Sequence, residues 1–154
     1  WPTSTPRCTS AFWAARRLPA AGEPMKFPPA CPEIPVRDLA PALAYYREIL
    51  GFTIDWSDEY LGLAGLSRGA SRIFMSSAAF RKALGNNAPI VLWINLEGRR
   101  EVDELHSIWS TAGAEIAFPP TARAWKLYEF LTRDPDDNCL RVFYDFGSEK
   151  RGDG

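Results

Sequence analysis

The chain has 154 residues, 46% of them hydrophobic and 24% charged, which fits one globular domain with a sizeable core, and no apolar run is long enough to span a bilayer. A net charge of −1 and a pI near 5.9 leave no basic footprint for nucleic acid and no polybasic segment for a membrane surface. Cys8, Cys31 and Cys139 are odd in number and lack C-x-x-C spacing, so neither a disulfide framework nor a thiolate zinc site is indicated and a reducing cytoplasm is the expected setting.

Residues 1–24 differ from the rest. They carry Pro2, Pro6, Pro19 and Pro24, three arginines, one acid (Glu23) and no sustained periodicity, so a low-order extension is expected. The apolar piece Ala11 to Ala15 is shorter than a signal-peptide core, and Arg16-Arg17 follows it instead of preceding it. Met25 then reads as the natural start. An upstream frame extension, an artefact, and an arm packing on a partner through Trp1, Phe12 and Trp13 all stay open. The domain itself is placed at 25–154, with modules at about 31–77 and 88–146.

From Cys31 the chain becomes orderly. Cys31 to Val36 is a short strand whose Pro32 and Pro35 suit an edge. Asp38 is placed to cap a helix in which Leu39, Leu43, Tyr46 and Leu50 form one apolar stripe, and Gly51 stops it. Phe52 to Trp56, Tyr60 to Leu66 and Ser71 to Ser76 follow as strands. The order then repeats. Pro89 to Leu96 is a strand, and Arg100 to Ala112 a helix with Val102, Leu105, Trp109 and Ala112 on one face and Gly113 its stop. Glu115 to Phe118, a Pro119-Pro120 loop, Lys126 to Arg133 and Cys139 to Tyr144 complete the second unit.

The last two strands are joined by Asp134-Pro135-Asp136-Asp137-Asn138, a hairpin turn in which Pro135 presets one backbone angle and Asp137 or Asn138 takes the left-handed conformation. A repeated βαβββ order gives an α+β fold. One unit would leave a sheet face bare, so two pair into a curved mixed sheet with helices on the convex side and a cleft inside.

Pro32 to Phe52 (P-E-I-P-V-R-D-L-A-P-A-L-A-Y-Y-R-E-I-L-G-F) and the closing Y-E-F-L-T-R-D-P-D-D-N-C-L-R after Trp125 resemble the two ends of the glyoxalase / bleomycin-resistance / extradiol-dioxygenase superfamily, the vicinal oxygen chelate fold. One departure is Asp137, where that family usually has Gly. The superfamily contains metalloenzymes and metal-free drug-binding proteins, and fold alone does not choose between them. The resemblance implies metal ligands at positions that here hold Cys31 and Arg141, with the fifth strand's ligand falling near Pro89 and no carboxylate, His or Gln in Ser71 to Ser76. Arg141 would set a fixed positive charge where a cation should sit, so no metal and no other cofactor is expected. His106, the only histidine, is expected to be structural.

Carrying over the family's strand alternation puts Glu33, Trp93, Arg141 and Phe143 on the concave face, with Cys31, Pro35, Val91, Asn95 and Cys139 beside them. Ile34, Val36, Ile90, Leu92, Ile94, Leu140 and Val142 form the complementary aliphatic face. Trp56, Tyr60, Phe74, Met75, Trp125 and Tyr128 are further ligand-binding candidates, by resemblance to proteins whose aromatic side chains sandwich flat ligands. Glu33 and Arg141 either neutralise each other or read a polar ligand, and Cys31 is either an inert apolar residue or a thiolate activated by Arg141. The expected function is sequestration of a small aromatic or amphipathic ligand by a bleomycin-resistance-like homodimer, with Arg141 favouring an anionic or neutral compound. The alternatives are a superfamily isomerase, lyase or thiol transferase with a non-standard metal site, and a protein-interaction module that binds through the N-terminal arm and an exposed aromatic face.

Overall fold

The computed structural model describes residues 29–82, 85 and 88–147. The extension at 1–24 lies outside them. The first module runs β1 (Glu33–Val36), α1 (Leu39–Glu48), β2 (Thr53–Asp58), β3 (Leu63–Arg68) and β4 (Ser71–Ser77), followed by a short helix α2 (Ala78–Arg81) that the sequence reading did not anticipate. The second runs β5 (Val91–Asn95), α3 (Arg99–Ala112), β6 (Glu115–Ala122), β7 (Leu127–Arg133) and β8 (Cys139–Asp145). Each module forms its own four-stranded sheet, in the orders β1-β4-β3-β2 and β5-β8-β7-β6. The first and last strand of each is a parallel pair, and the others are antiparallel. The curved surface expected from the repeat is thus built from two hydrogen-bonded halves.

Alternation explains which face is buried. Ile34 and Val36 of β1 pair with Met75 and Ser77 of β4, and Leu140 and Val142 of β8 pair with Leu92 and Ile94 of β5. With the α1 stripe of Leu39, Leu43, Tyr46 and Leu50, and with Val102, Trp109 and Phe130, most of these form one core shared by both modules. Burying each such side chain contributes about 1.5–3 kcal/mol, and it is this term that holds the helices on the sheets. Gly113 ends α3 with a left-handed φ of 95°, the conformation that glycine takes without a steric penalty.

Two local expectations are modified and a third is met. Asp38 occupies the N-cap position of α1 with an extended backbone, yet its side chain makes no capping bond. Pro119-Pro120 lies inside β6, not in a loop, and the pairing with β7 shifts register on either side of Phe118 to accommodate it. Because β6 is an edge strand, the missing proline N–H groups cost little. The β7–β8 turn follows the sequence, with Asp137 at φ 66° as its left-handed residue.

Tyr46 joins the two modules through its hydroxyl, which donates to Asp134 Oδ2 at 2.9 Å in a buried setting. Burial first, and the nearby carboxylate second, hold its phenol well above the ordinary value of about 10. A phenol that ionises more readily unfolded than folded contributes stability that is complete below about pH 10 and is lost as pH rises toward the folded value. Tyr46→Phe is therefore expected to flatten part of the alkaline fall in urea midpoint above about pH 10, while costing about 1–2 kcal/mol at neutral pH. Tyr45 and Tyr128 shift the same way, so some slope persists. An unchanged slope would exclude Tyr46 as a contributor.

Candidate ligand-binding site

The helix-free faces of the two sheets carry the site. On the first sheet the register runs Glu33 to Phe74, Phe74 to Gly65, and Gly65 to Trp56, so these four form one row across β1, β4, β3 and β2. Gly65 lets the row lie flat. A Cβ there would sit 2.4 Å from Trp56 Nε1, so only a glycine allows the indole to rest on the strand backbone, where it meets the Phe74 ring at 5.9 Å. Trp56 is nevertheless 42% exposed, an aromatic surface seated from below and open from above.

On the second sheet Trp93 pairs with Arg141, Arg141 with Leu131, and Leu131 with Phe118; Asn95 pairs with Phe143, and Phe143 with Glu129. The Trp93 and Phe143 rings meet edge to face at 5.5 Å, and the Arg141 guanidinium lies 4.6 Å from the Trp93 ring centre. Glu129 is fully buried beneath this group. Its Oε1 accepts from Arg123 Nε at 3.2 Å and lies 3.8 Å from Arg141 Nη2. Arg123 comes from the β6–β7 turn, which is closed by Lys126 at a left-handed φ of 70°, and its guanidinium sits over Phe118 at 4.4 Å and Trp125 at 5.8 Å. Glu129 Oε2 and Arg141 Nε are buried without a hydrogen-bond partner among the described residues.

A cavity of about 510 Å³ opens between the modules, lined by Cys31, Arg72 and Phe74 from the first and Leu92, Trp93 and Ile94 from the second, among others. That volume suits a small organic ligand. Phe74 and Trp93, from different modules, both line it.

Of the residues singled out from sequence, Glu33, Trp56 and Phe74 share one row of the first sheet, and Trp93, Arg141 and Phe143 share one face of the second. Trp125 stands at the turn beside Arg123, largely exposed. Three candidates go elsewhere. Met75 is 0% exposed in the core, because it alternates with Phe74 and so faces the helix side. Tyr128 alternates with Glu129, points at α3, and donates to Asp103 Oδ1 at 2.7 Å beneath the Arg99 guanidinium. Tyr60 is 98% exposed in the β2–β3 turn and lines no part of the cavity.

The Glu33–Arg141 pairing is replaced by two separate arrangements. Glu33 Oε1 accepts from Ser76 Oγ at 2.6 Å, and that oxygen accepts in turn from Arg81 at 2.9 Å. Arg141 pairs with Glu129 instead. Glu129, Arg123 and Phe118 were not singled out from sequence. A carboxylate two residues from both Leu127 and Leu131, and so on the same face as two leucines, is the signal for Glu129. His106 packs edge to face on Phe130 at 5.3 Å and is part of the scaffold.

The residues present do not fit a divalent cation. Among the described residues no three His, Cys, Asp or Glu side chains converge. The β8 position where the resemblance places a carboxylate ligand presents the Arg141 guanidinium, whose charge repels a metal. What the two faces offer is apolar and aromatic surface with a few oriented charges.

The family model described as Glyoxalase/Bleomycin resistance protein/Dioxygenase superfamily matches residues 29–142. Among solved structures, the chain is similar to a glyoxalase/bleomycin resistance protein/dioxygenase from Nocardioides, with 18% identity and a TM-score of 0.67 over 84% of this chain and 91% of that one. TioX from Micromonospora sp. ML1 is similar at 18% identity and a TM-score of 0.65, covering 77% of this chain and 99% of that one. These two likenesses show the fold. The bleomycin-binding protein from Streptomyces verticillus, solved with copper(II)-bleomycin, is 27% identical, with a TM-score of 0.59 over 76% of this chain and 95% of that one. No curated protein matches.

Proposed function

The chain belongs to the glyoxalase/bleomycin resistance protein/dioxygenase superfamily, and from that membership we propose that it is a metal-free binding protein that sequesters a flat aromatic small molecule. The observation that carries this reading is the pairing of Phe74 and Trp93 across one cavity, each backed by a second aromatic ring, Trp56 and Phe143. Aromatic walls of this kind hold planar ligands through buried apolar area and ring contacts without any group placed to transform them. Arg141 at the β8 ligand position supports binding over metal-assisted chemistry. The similarity to a bleomycin-binding protein supports the same class.

A cytoplasmic setting and a role in antibiotic resistance belong to this reading, the first supported by the free thiols of Cys31 and Cys139. So does a homodimer. Val91 and Trp93 expose much of their apolar surface on β5, an edge strand that a second copy would cover.

Tryptophan fluorescence of chelator-treated protein, titrated with copper-loaded bleomycin and then a panel of planar antibiotics and metabolites, tests the proposal, with light scattering reading the dimer. Saturable quenching at micromolar concentration or tighter is expected, weakened about tenfold or more by Trp93→Ala and less by the exposed Trp125→Ala. Absence of quenching by every compound, with near-stoichiometric metal found before chelation, would overturn sequestration in favour of an enzyme.

A further inference from the structure

We infer that the ligand is an aromatic acid whose anionic oxygens are held between the guanidinium groups of Arg123 and Arg141, above the buried carboxylate of Glu129. This deepens the sequestration reading and rests on it. Three observations lead there.

The first is the charge count within the cluster. One carboxylate, fully buried, is shared by two guanidiniums, at 3.2 Å from Arg123 and 3.8 Å from Arg141. No other ion pair engages either arginine among the described residues. After Glu129 is neutralised, one positive charge remains, in a setting where aromatic rings exclude part of the solvent and strengthen any pairing. The second is geometry. Phe118 packs against both arginines, 4.4 Å from the Arg123 guanidinium and 5.9 Å from that of Arg141, while Arg141 also stacks on Trp93. Both side chains are only about a quarter exposed, at 28% and 26%, so their planes are fixed by packing with their outer edges still reachable. Two guanidiniums brought to one carboxylate oxygen are close enough for a carboxylate or a phosphate to pair with both. The third is independent of the cluster. The described residues that line the cavity include one charged side chain, Arg72, and no acid. An aromatic body lying against Phe74 and Trp93 therefore meets the positive charge of Arg72, and the other side of the link is Trp93 itself, which both lines the cavity and stacks on Arg141.

Glu129 acts in this scheme as a positioning residue. Its Oε1 accepts from Arg123, while its Oε2 and the buried Arg141 Nε have no hydrogen-bond partner among the described residues, so Glu129 holds Arg123 by a bond and Arg141 by charge alone. Oxygens that pair with both guanidiniums supply the acceptors that one carboxylate cannot.

The test is a titration of the full chain with naphthoate, naphthyl phosphate and the neutral isostere naphthamide, read by tryptophan quenching and calorimetry. At low salt the acids are expected to bind at least about tenfold tighter than the amide, with the advantage shrinking in about 0.5 M NaCl. The better of the two acids shows whether planar carboxylate or tetrahedral phosphate oxygens are preferred. Arg123→Gln, which keeps Arg141 beside Glu129 and is first checked for folding by circular dichroism, should reduce the preference to within about threefold. Arg141→Lys, which keeps the charge but loses the stacked fork, should weaken naphthoate several-fold more than naphthamide. Naphthamide binding as tightly as the acids, or a preference untouched by both substitutions, would overturn the anionic seat and leave sequestration standing. Failure of all three compounds to bind would overturn the aromatic-acid seat, while sequestration is decided by the wider panel.

Discussion

Asn138→Ala is expected to lower the unfolding free energy by about 3–5 kcal/mol, a large fraction of the stability of a domain this size. Asn138 is 1% exposed. Its Nδ2 donates to Pro35 O at 2.8 Å and to Asp134 Oδ2 at 2.9 Å, and its Oδ1 accepts from Ile90 N at 3.0 Å. Pro35 is in β1 and Ile90 immediately precedes β5, so one amide ties the first strand of each module to the closing hairpin. Alanine would leave the Pro35 carbonyl and the Ile90 N–H without that partner in the interior, each costing about 1–3 kcal/mol. Asn138→Asp keeps the size but faces a carboxylate toward Asp134 and Pro35 O, so at neutral pH it should be at least as harmful. Urea unfolding measures both. A loss below about 1 kcal/mol for alanine would mean that water takes over the amide's bonds and that the hairpin is not the tie between modules.

The turn that carries Asn138 was legible because its chemistry is local. Proline, aspartate and asparagine in that order dictate a reversal, and Asp137 adopts the left-handed φ of 66° that the reading allowed it. Its task was not legible. The bond from Asn138 to Pro35 spans 103 residues, and nothing in a turn motif says which distant strand its side chain will reach.

The same division runs through the candidate site. Trp93, Arg141 and Phe143 were placed on one face by two-residue alternation, and the β5–β8 pairing puts them there. Met75 and Tyr128 were chosen for residue type, against the alternation that their neighbours Phe74 and Glu129 obey, and both face the helix side. Glu129 itself was not among the residues singled out. It is fully buried because Arg123 folds back on it from a turn whose geometry depends on a left-handed Lys126, and no sequence rule flags a lysine for that conformation.

Trp109→Ala is expected to cost about 3–5 kcal/mol and, unlike a simple core truncation, to weaken ligand binding as well. Trp109 is 1% exposed on α3, packs edge to face on Phe130 at 5.8 Å, and donates from Nε1 to Leu50 O at 3.0 Å. Arg68 lies over the same indole at 5.6 Å and also donates to Leu50 O. The second module's helix thus grips the end of the first module's helix through one carbonyl. Leu50 stands two residues before Phe52, which lines the cavity, and just ahead of β2, which carries Trp56. Loosening that grip lets the two aromatic faces move relative to each other, and a planar ligand that needs both loses contact with one. Trp109→Phe separates the contributions: it keeps most of the apolar volume, drops the N–H donor, and should cost about 1–2 kcal/mol with affinity nearly intact. If alanine destabilises the fold but the remaining folded protein binds naphthoate as tightly as the parent, the two walls are fixed by Asn138 and the hairpin alone, and the α3–α1 clasp serves stability without shaping the cleft.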